Sequence, residues 1–181
     1  MNLKTLTTNS QEWTLFLDRD GVINHRIIDD YVKRIEDFEF LEGAIEAIVE
    51  FRKHFRYIFI VTNQQGVGKG LMTKNDVEEI HNFMIAEIEA KGGKIDAVYF
   101  CPELKNTNSK CRKPEIGMAL QAQKEFHGVD FSKSIMIGDS ISDMEFGKNA
   151  GMHNIFIDAQ KEGVMPDTAE FMFDSLKDFF Y

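Results

Sequence analysis

Only two of the 181 residues are cysteine, too few for a disulfide framework to carry the fold. Long hydrophobic runs are missing as well. The longest plainly apolar stretch, Tyr57 to Val61, falls far short of the ~20 residues needed to cross a bilayer. The polar opening from Met1 to Glu12 has no apolar segment of the kind a secretory signal requires. Basic residues are the minority: 21 Lys plus Arg stand against 30 Asp plus Glu, a net charge of −9. That balance disfavours non-specific binding to nucleic acid or an anionic membrane, whose phosphates reward basic surfaces. No repeat, low-complexity segment or linker divides the chain. The expectation is a cytoplasmic protein, monomeric, with a polar tail over residues 1–12 and a single domain over 13–181, since a domain takes roughly 150 residues. What is plentiful is core: 43% hydrophobic residues, 16 of them Phe, which argues against disorder.

Apolar runs recur with polar stops. Trp13 to Leu17 reads as a buried strand halted at Asp18. Ala44, Ile45, Ile48, Val49 and Phe51 have helical spacing, and Tyr57 to Val61 is a second strand ending at Thr62-Asn63-Gln64. Thr73 and Asp76 resemble a capping box for a helix that Gly92-Gly93 stops. Further strands are expected at 97–101, 134–137 and 154–157, with helices near 118–126 and 143–150 and a tail of undefined structure. Alternating strands and helices predict an α/β, doubly wound, mainly parallel Rossmann-like sheet. Ligands of such sheets bind at the carboxyl ends of the strands, where the polar clusters fall. The longest insertions, around 21–41 and 102–114, are too short for a separate cap domain.

Asp18 and Asp20 lie at i and i+2, so in extended backbone both carboxylates project to one side. They repel unless a cation lies between them. Asp139 and Asp143 form a second acidic pair at another strand end and complete an oxygen-rich site for Mg²⁺. The competing reading is that these residues only end strands and cap helices.

In this order the chain resembles the haloacid dehalogenase superfamily of phosphatases. Four motifs carry the likeness: Phe16-Leu17-Asp18-Arg19-Asp20-Gly21, Val61-Thr62-Asn63-Gln64, Cys111-Arg112-Lys113-Pro114, and Ile137-Gly138-Asp139-Ser140 with Asp143. Residues 18–24, Tyr31-Val32, Phe38-Glu39-Phe40 and Gln65-Gly66 narrow it to the branch of the heptose bisphosphate 7-phosphatases and histidinol-phosphate phosphatases. The resemblance implies Mg²⁺-dependent hydrolysis of a small phosphorylated metabolite. Asp18 is then the nucleophile and Asp20 the acid and base. The metal would rest on Asp18, the Asp20 backbone carbonyl and Asp139, with Asp143 orienting the site from behind. Thr62 would hold phosphoryl oxygens and Lys113 would neutralise charge around Asp18, each unit pair being worth ~4 kcal/mol at ~4 Å and an effective dielectric near 20. Arg112 is the expected contact to the non-reacting part of the substrate, with Asn24, Asn63 and Gln64, and more weakly Arg26, Lys69 and Lys110, beside it.

Several features point elsewhere. Gly66-Val67-Gly68-Lys69-Gly70 fits neither the P-loop nor the dinucleotide pattern, and the five histidines have no catalytic spacing. Relatives in this branch commonly carry a zinc loop of Cys-x-His and Cys-x-Cys; here those positions read Cys101, Glu103, Ser109 and Cys111. With a carboxylate and a hydroxyl in place of two ligands zinc is not expected, and the loop is expected to hold by hydrogen bonds and packing. The 18–24, 31–32 and 116–118 segments favour the heptose substrate, whereas the short Cys101 to Cys111 spacing is closer to the histidinol-phosphate enzymes. A rival of another class is a non-enzymatic phosphoacceptor or phospholigand-binding domain. In a receiver-type phosphoacceptor the acceptor Asp follows the third strand, where this chain has Cys101-Pro102.

Overall fold

The computed structural model describes residues 12–180; the polar tail expected over 1–12 lies outside them except for Glu12. Strands β1 (Thr14–Leu17), β2 (Tyr57–Asn63), β3 (Ala97–Cys101), β4 (Ser134–Gly138), β5 (His153–Ile157) and β6 (Phe171–Phe173) form one sheet in the order β3-β2-β1-β4-β5-β6, every neighbour parallel. Helices α1 (Ala44–His54), α2 (Gln65–Gly68), α3 (Lys74–Ala90), α4 (Gly117–Glu125) and α5 (Ile141–Ala150) lie between the first five strands.

The side-chain alternation of extended backbone divides the core in two. Leu15, Leu17, Ile58, Ile60, Ile135 and Ile137 pack on one face with Ile48, Phe51, Met84 and Ile88 of α1 and α3. Phe16, Phe59, Val61 and Met136 pack on the other with Met118, Ala122 and Phe146 of α4 and α5. Because both faces are covered, these strands read as continuous apolar runs and not as alternating ones. The capping box is present: Thr73 Oγ1 accepts the Asp76 N–H at 3.1 Å, and the Thr73 N–H donates to the Asp76 carboxylate at 2.7 Å.

Three features depart from the expected elements. β2 runs two residues further, placing Thr62 and Asn63 on the strand, paired with Phe100 and Cys101. The tail forms β6 and a 3₁₀ turn over Leu176–Phe180, whose buried Leu176 and Phe179 close the core against Phe51; a three-residue strand has too little periodicity to be read. Between residues 21 and 41 the chain is anchored by bridges from Asn24 to Asp20 and Phe40. Among the described residues no helix is long and apolar enough to cross a membrane.

Strand order decides where the chemistry falls. The chain winds from β1 outward to β3, then returns to β4 on the other side of β1. At this reversal the loops after β1 and β4 part to opposite faces and leave a crevice at the carboxyl ends. Asp18 and Asp139 stand at its two lips.

Candidate active site

Asp18 follows β1 directly, its N–H donating to Ile137 O on β4 at 2.9 Å. That bond ties the residue to the neighbouring strand and aims its side chain across the crevice. Asp139 leaves β4 and Asp143 lies in the first turn of α5. Carboxylate oxygens of Asp18, Asp139 and Asp143 all lie within 4.8 Å of one another. Asp143 also closes a capping box: its Oδ2 accepts the Ser140 hydroxyl at 2.6 Å and the Ser140 N–H at 3.0 Å. Capping and membership of the acidic cluster therefore coincide in one residue.

Three clustered carboxylates need positive charge. Lys113, 3% exposed, reaches them from the loop before α4. Its Nζ donates to Asp18 Oδ1 at 2.8 Å and to Val61 O at 2.7 Å, and pairs with Asp143 Oδ1 at 2.6 Å as an ion pair outside hydrogen-bond alignment. Burial pulls the Lys113 ammonium down, but Asp143 and Asp18 outweigh it and hold the group above its usual range. Burial also pushes Asp18 up to about 6, helped by Asp143 and opposed by Lys113. Asp139 is driven up to about 8 by burial and by the charges of Asp18 and Asp143. Arg26 tempers it, donating from Nη2 to Asp139 Oδ1 at 2.8 Å and to Asp20 O at 3.4 Å. A site of hard carboxylate oxygens that raises its own pKa values in this way is chemically fitted to a hard divalent cation.

Asp20 is held differently. Its carboxylate accepts from Arg19 Nη2 at 2.9 Å on both oxygens, from Arg19 Nε at 3.3 Å, and from Asn24 Nδ2 and Gln64 Nε2 at 2.9 Å each. Burial raises its pKa, yet Arg19, Asn24 and Gln64 together bring it below the ordinary value. Glycine at position 21 is required by a φ of +91° and by the absence of room: a Cβ there would run into the Asp139 carboxylate.

The remaining expected residues divide. Thr62 and Arg112 line a cleft of about 430 Å³ with Asp18, Arg26, Tyr31 and Lys69, and Arg112 Nη1 donates to Glu103 O at 3.3 Å. Asn63 lines it too, but its amide is spent on Lys113, accepting the Lys113 N–H at 3.0 Å and donating to Lys113 O at 3.3 Å. Asn24 and Gln64 are not substrate contacts here. They are 0% and 1% exposed and build the cradle of the half-buried Asp20 carboxylate, whose charge their amide donors satisfy. The loop expected to hold by hydrogen bonds and packing is instead closed by a Cys101–Cys111 disulfide, with Cα atoms 5.4 Å apart. Ser109 Oγ is 3.2 Å from Cys111 Sγ, while Glu103 is exposed. Sulfurs bonded to each other offer no thiolate to zinc. Arg19 and His81 are missing from the expected set. Arg19, between two aspartates, carries a sequence signal; His81, 62 residues away, carries none.

The HAD-hydrolase-like family model matches residues 110–178. A Mycobacterium bovis protein named D-glycero-alpha-D-manno-heptose-1,7-bisphosphate 7-phosphatase is 38% identical over 173 residues, covering 93% of this chain and 90% of that protein. A Campylobacter jejuni protein of the same name is 42% identical over 151 residues, 82% of this chain and 85% of that one. Among solved structures, D,D-heptose 1,7-bisphosphate phosphatase from B. bronchiseptica, complexed with magnesium and phosphate, superposes with a TM-score of 0.81 at 27% identity, covering 91% of this chain and 94% of that one. Identity at this level across nearly the whole length, with the same doubly wound fold, makes the chain a member of the HAD-like phosphatases, hydrolases of phosphoric monoesters.

Proposed function

We propose that this phosphatase removes the C7 phosphate of D-glycero-D-manno-heptose 1,7-bisphosphate, the α anomer preferred, in a Mg²⁺-dependent reaction. The observation that carries the chemistry is the meeting of Asp18, Asp139 and Asp143 with Lys113 at the sheet's reversal. The names of the relatives support the substrate. Asp18, the Asp20 backbone carbonyl and Asp139 would hold the cation, with Asp143 bracing Lys113 behind them. Bound there, Mg²⁺ would supply positive charge to phosphoryl oxygens and so permit an anionic nucleophile to approach an anionic ester.

Asp18 attacks phosphorus while the bond to the C7 oxygen breaks, leaving an aspartyl-phosphate. Lys113 keeps Asp18 ionised and oriented; its burial strengthens the pairing. Thr62 lines the cleft with Asp18, its Oγ1 accepting from Gln64 Nε2 at 2.9 Å, and would donate its hydroxyl proton to a phosphoryl oxygen. The departing alkoxide takes a proton from Asp20, and in the second step Asp20 takes one from the water that attacks phosphorus, releasing inorganic phosphate. The five hydrogen bonds that four nitrogens give Asp20 suit its ionised form, the form that accepts a proton. To give one, the carboxyl must turn partly out of that cradle towards the leaving oxygen. Arg112, which lines both the cleft and the hollow beside it, would bind the second phosphate.

Phosphate release is to be measured from both anomers of the bisphosphate, from histidinol phosphate and from simple sugar phosphates, with and without Mg²⁺. The α-bisphosphate is expected to give the highest kcat/KM. A preference for histidinol phosphate would reassign the substrate, and no metal-dependent release from any of them would leave a phospholigand-binding protein.

A further inference from the structure

Arg19 is wholly buried, an uncommon position for a guanidinium. Such a group holds five N–H donors and no acceptor, so every donor left without a partner is costly. Nε and Nη2 go to Asp20. Nη1 lies 3.1 Å from Nε2 of His81, which is 4% exposed on α3. Because arginine can only donate, Nε2 must present its lone pair, and the ring proton therefore sits on Nδ1. The ring is held in turn by an edge contact with Phe100 on β3, centroids 5.7 Å apart. Burial and the adjacent guanidinium press the imidazole pKa down to about 3, so the lone pair persists throughout the neutral range.

We propose that His81 is a positioning residue for the acid–base carboxylate: it accepts Nη1–H of Arg19 and thereby sets the guanidinium that sets Asp20. The inference rests on the acid–base role of Asp20 proposed above and goes beyond it, since His81 is not among the residues lining the cleft and its hydrogen bond goes to Arg19. Without an acceptor on α3, Nη1 is a buried orphan, and the guanidinium must rotate towards another oxygen. Rotation withdraws Nε and Nη2 from Asp20, leaving only Asn24 and Gln64 to fix the carboxyl. Without its Arg19 contacts the carboxyl has lost the pivot about which it turns towards the leaving oxygen, and proton delivery falters while phosphate binding does not.

The test separates proton delivery from structure. In single-turnover measurements, His81→Leu is expected to slow phosphoryl transfer from a sugar phosphate by about tenfold to a hundredfold, part of the ~10²–10⁴-fold that a positioned acid supplies. Transfer from p-nitrophenyl phosphate, whose leaving group needs no proton, should change far less. His81→Gln, whose Oε1 can accept the same hydrogen bond, should recover most of the loss. Equal slowing of both substrates, a Gln variant no better than Leu, or a Leu variant at full rate would each overturn the assignment. Should His81→Leu fail to fold, nitrogen NMR of the unaltered protein decides: His81 is expected as the Nδ1–H tautomer with Nε2 unprotonated from pH 5 to 8, and a protonated Nε2 would overturn it. Failure of the phosphatase reading would appear instead as no metal-dependent turnover by the unaltered protein.

Discussion

Lys113 and Asp18 are 95 residues apart in sequence and joined by a hydrogen bond of 2.8 Å inside the core of the site. A surface lysine could be replaced with the fold unharmed. This one offsets the charges of two buried carboxylates, so Lys113→Met should reduce turnover by at least about a hundredfold, as loss of a preorganised charge does. It should also lower stability by about 3 kcal/mol, as loss of one partner from a buried ion pair does. Kinetics and chemical denaturation measure both; an unchanged denaturation midpoint would show that Asp18 and Asp143 do not depend on it.

Replacement of Asp18 itself separates chemistry from folding. Asp18→Asn removes the nucleophile, and turnover should disappear. It also removes a charge that the site must pay to bury, so the variant should be at least as stable as the parent in metal-free buffer. Residual turnover at the parent rate would exclude Asp18 as nucleophile.

The carboxylate cluster makes the metal-free protein sensitive to pH. Asp18 and Asp139 have folded-state values of about 6 and about 8, above the ordinary 3.8, so the folded state retains protons that the unfolded chain has released. Stability from these two groups is therefore full below about pH 4 and lost as pH rises through 6 and 8. Asp20, shifted downward, acts in the opposite sense and costs stability only on the acid side. Thermal unfolding from pH 4 to 8 should show the decline in EDTA and little of it in Mg²⁺. A decline of the same size in both would mean that the cation does not reach this cluster.

Gly21 leaves room for Asp139. Gly21→Ala forces a side chain at φ +91° against the carboxylate, which should cost about 1–3 kcal/mol and weaken Mg²⁺ binding as Asp139 is pushed aside. Calorimetric titration of the folded variant with Mg²⁺ tests this, and an unaltered affinity would count against Asp139 as a ligand.

The Cys101–Cys111 bond closes the loop that leads into Arg112 and Lys113. By the loop-closure argument it should contribute about 2–3 kcal/mol. Reduction and alkylation should lower the melting temperature accordingly; two titratable thiols in the untreated protein, with no response to reductant, would contradict the bond.

Much of this protein is legible in one dimension. Apolar runs followed by Asp18, Thr62 and Asp139 announce a parallel sheet with polar groups towards its carboxyl edge, because a doubly covered strand is apolar along most of its length. The spacing of Asp18 and Asp20 predicts a cation between them, but in the structure the Asp20 carboxylate pairs with the Arg19 guanidinium and Asp18 groups with Asp139 and Asp143. Less legible is which polar residues face the substrate. Asn24 and Gln64 have the side chains of binding residues, yet both are enclosed around Asp20. Amide type says what a group can bond to, and burial alone says which partner it has.

The sequence by itself determined the fold class and the family, both of which depend on local pattern and fixed motif order. Tertiary structure decided the rest. Strand order made β1 and β4 neighbours and so brought Asp18 to Asp139. A loop before α4 carried Lys113 into the cluster, the bonding of two sulfurs replaced an expected network of hydrogen bonds, and α3 delivered His81 beneath Arg19. These are contacts across tens of residues. They are chosen by the requirement that buried charge and every buried donor find a partner, and that requirement has meaning only once the chain has folded around them.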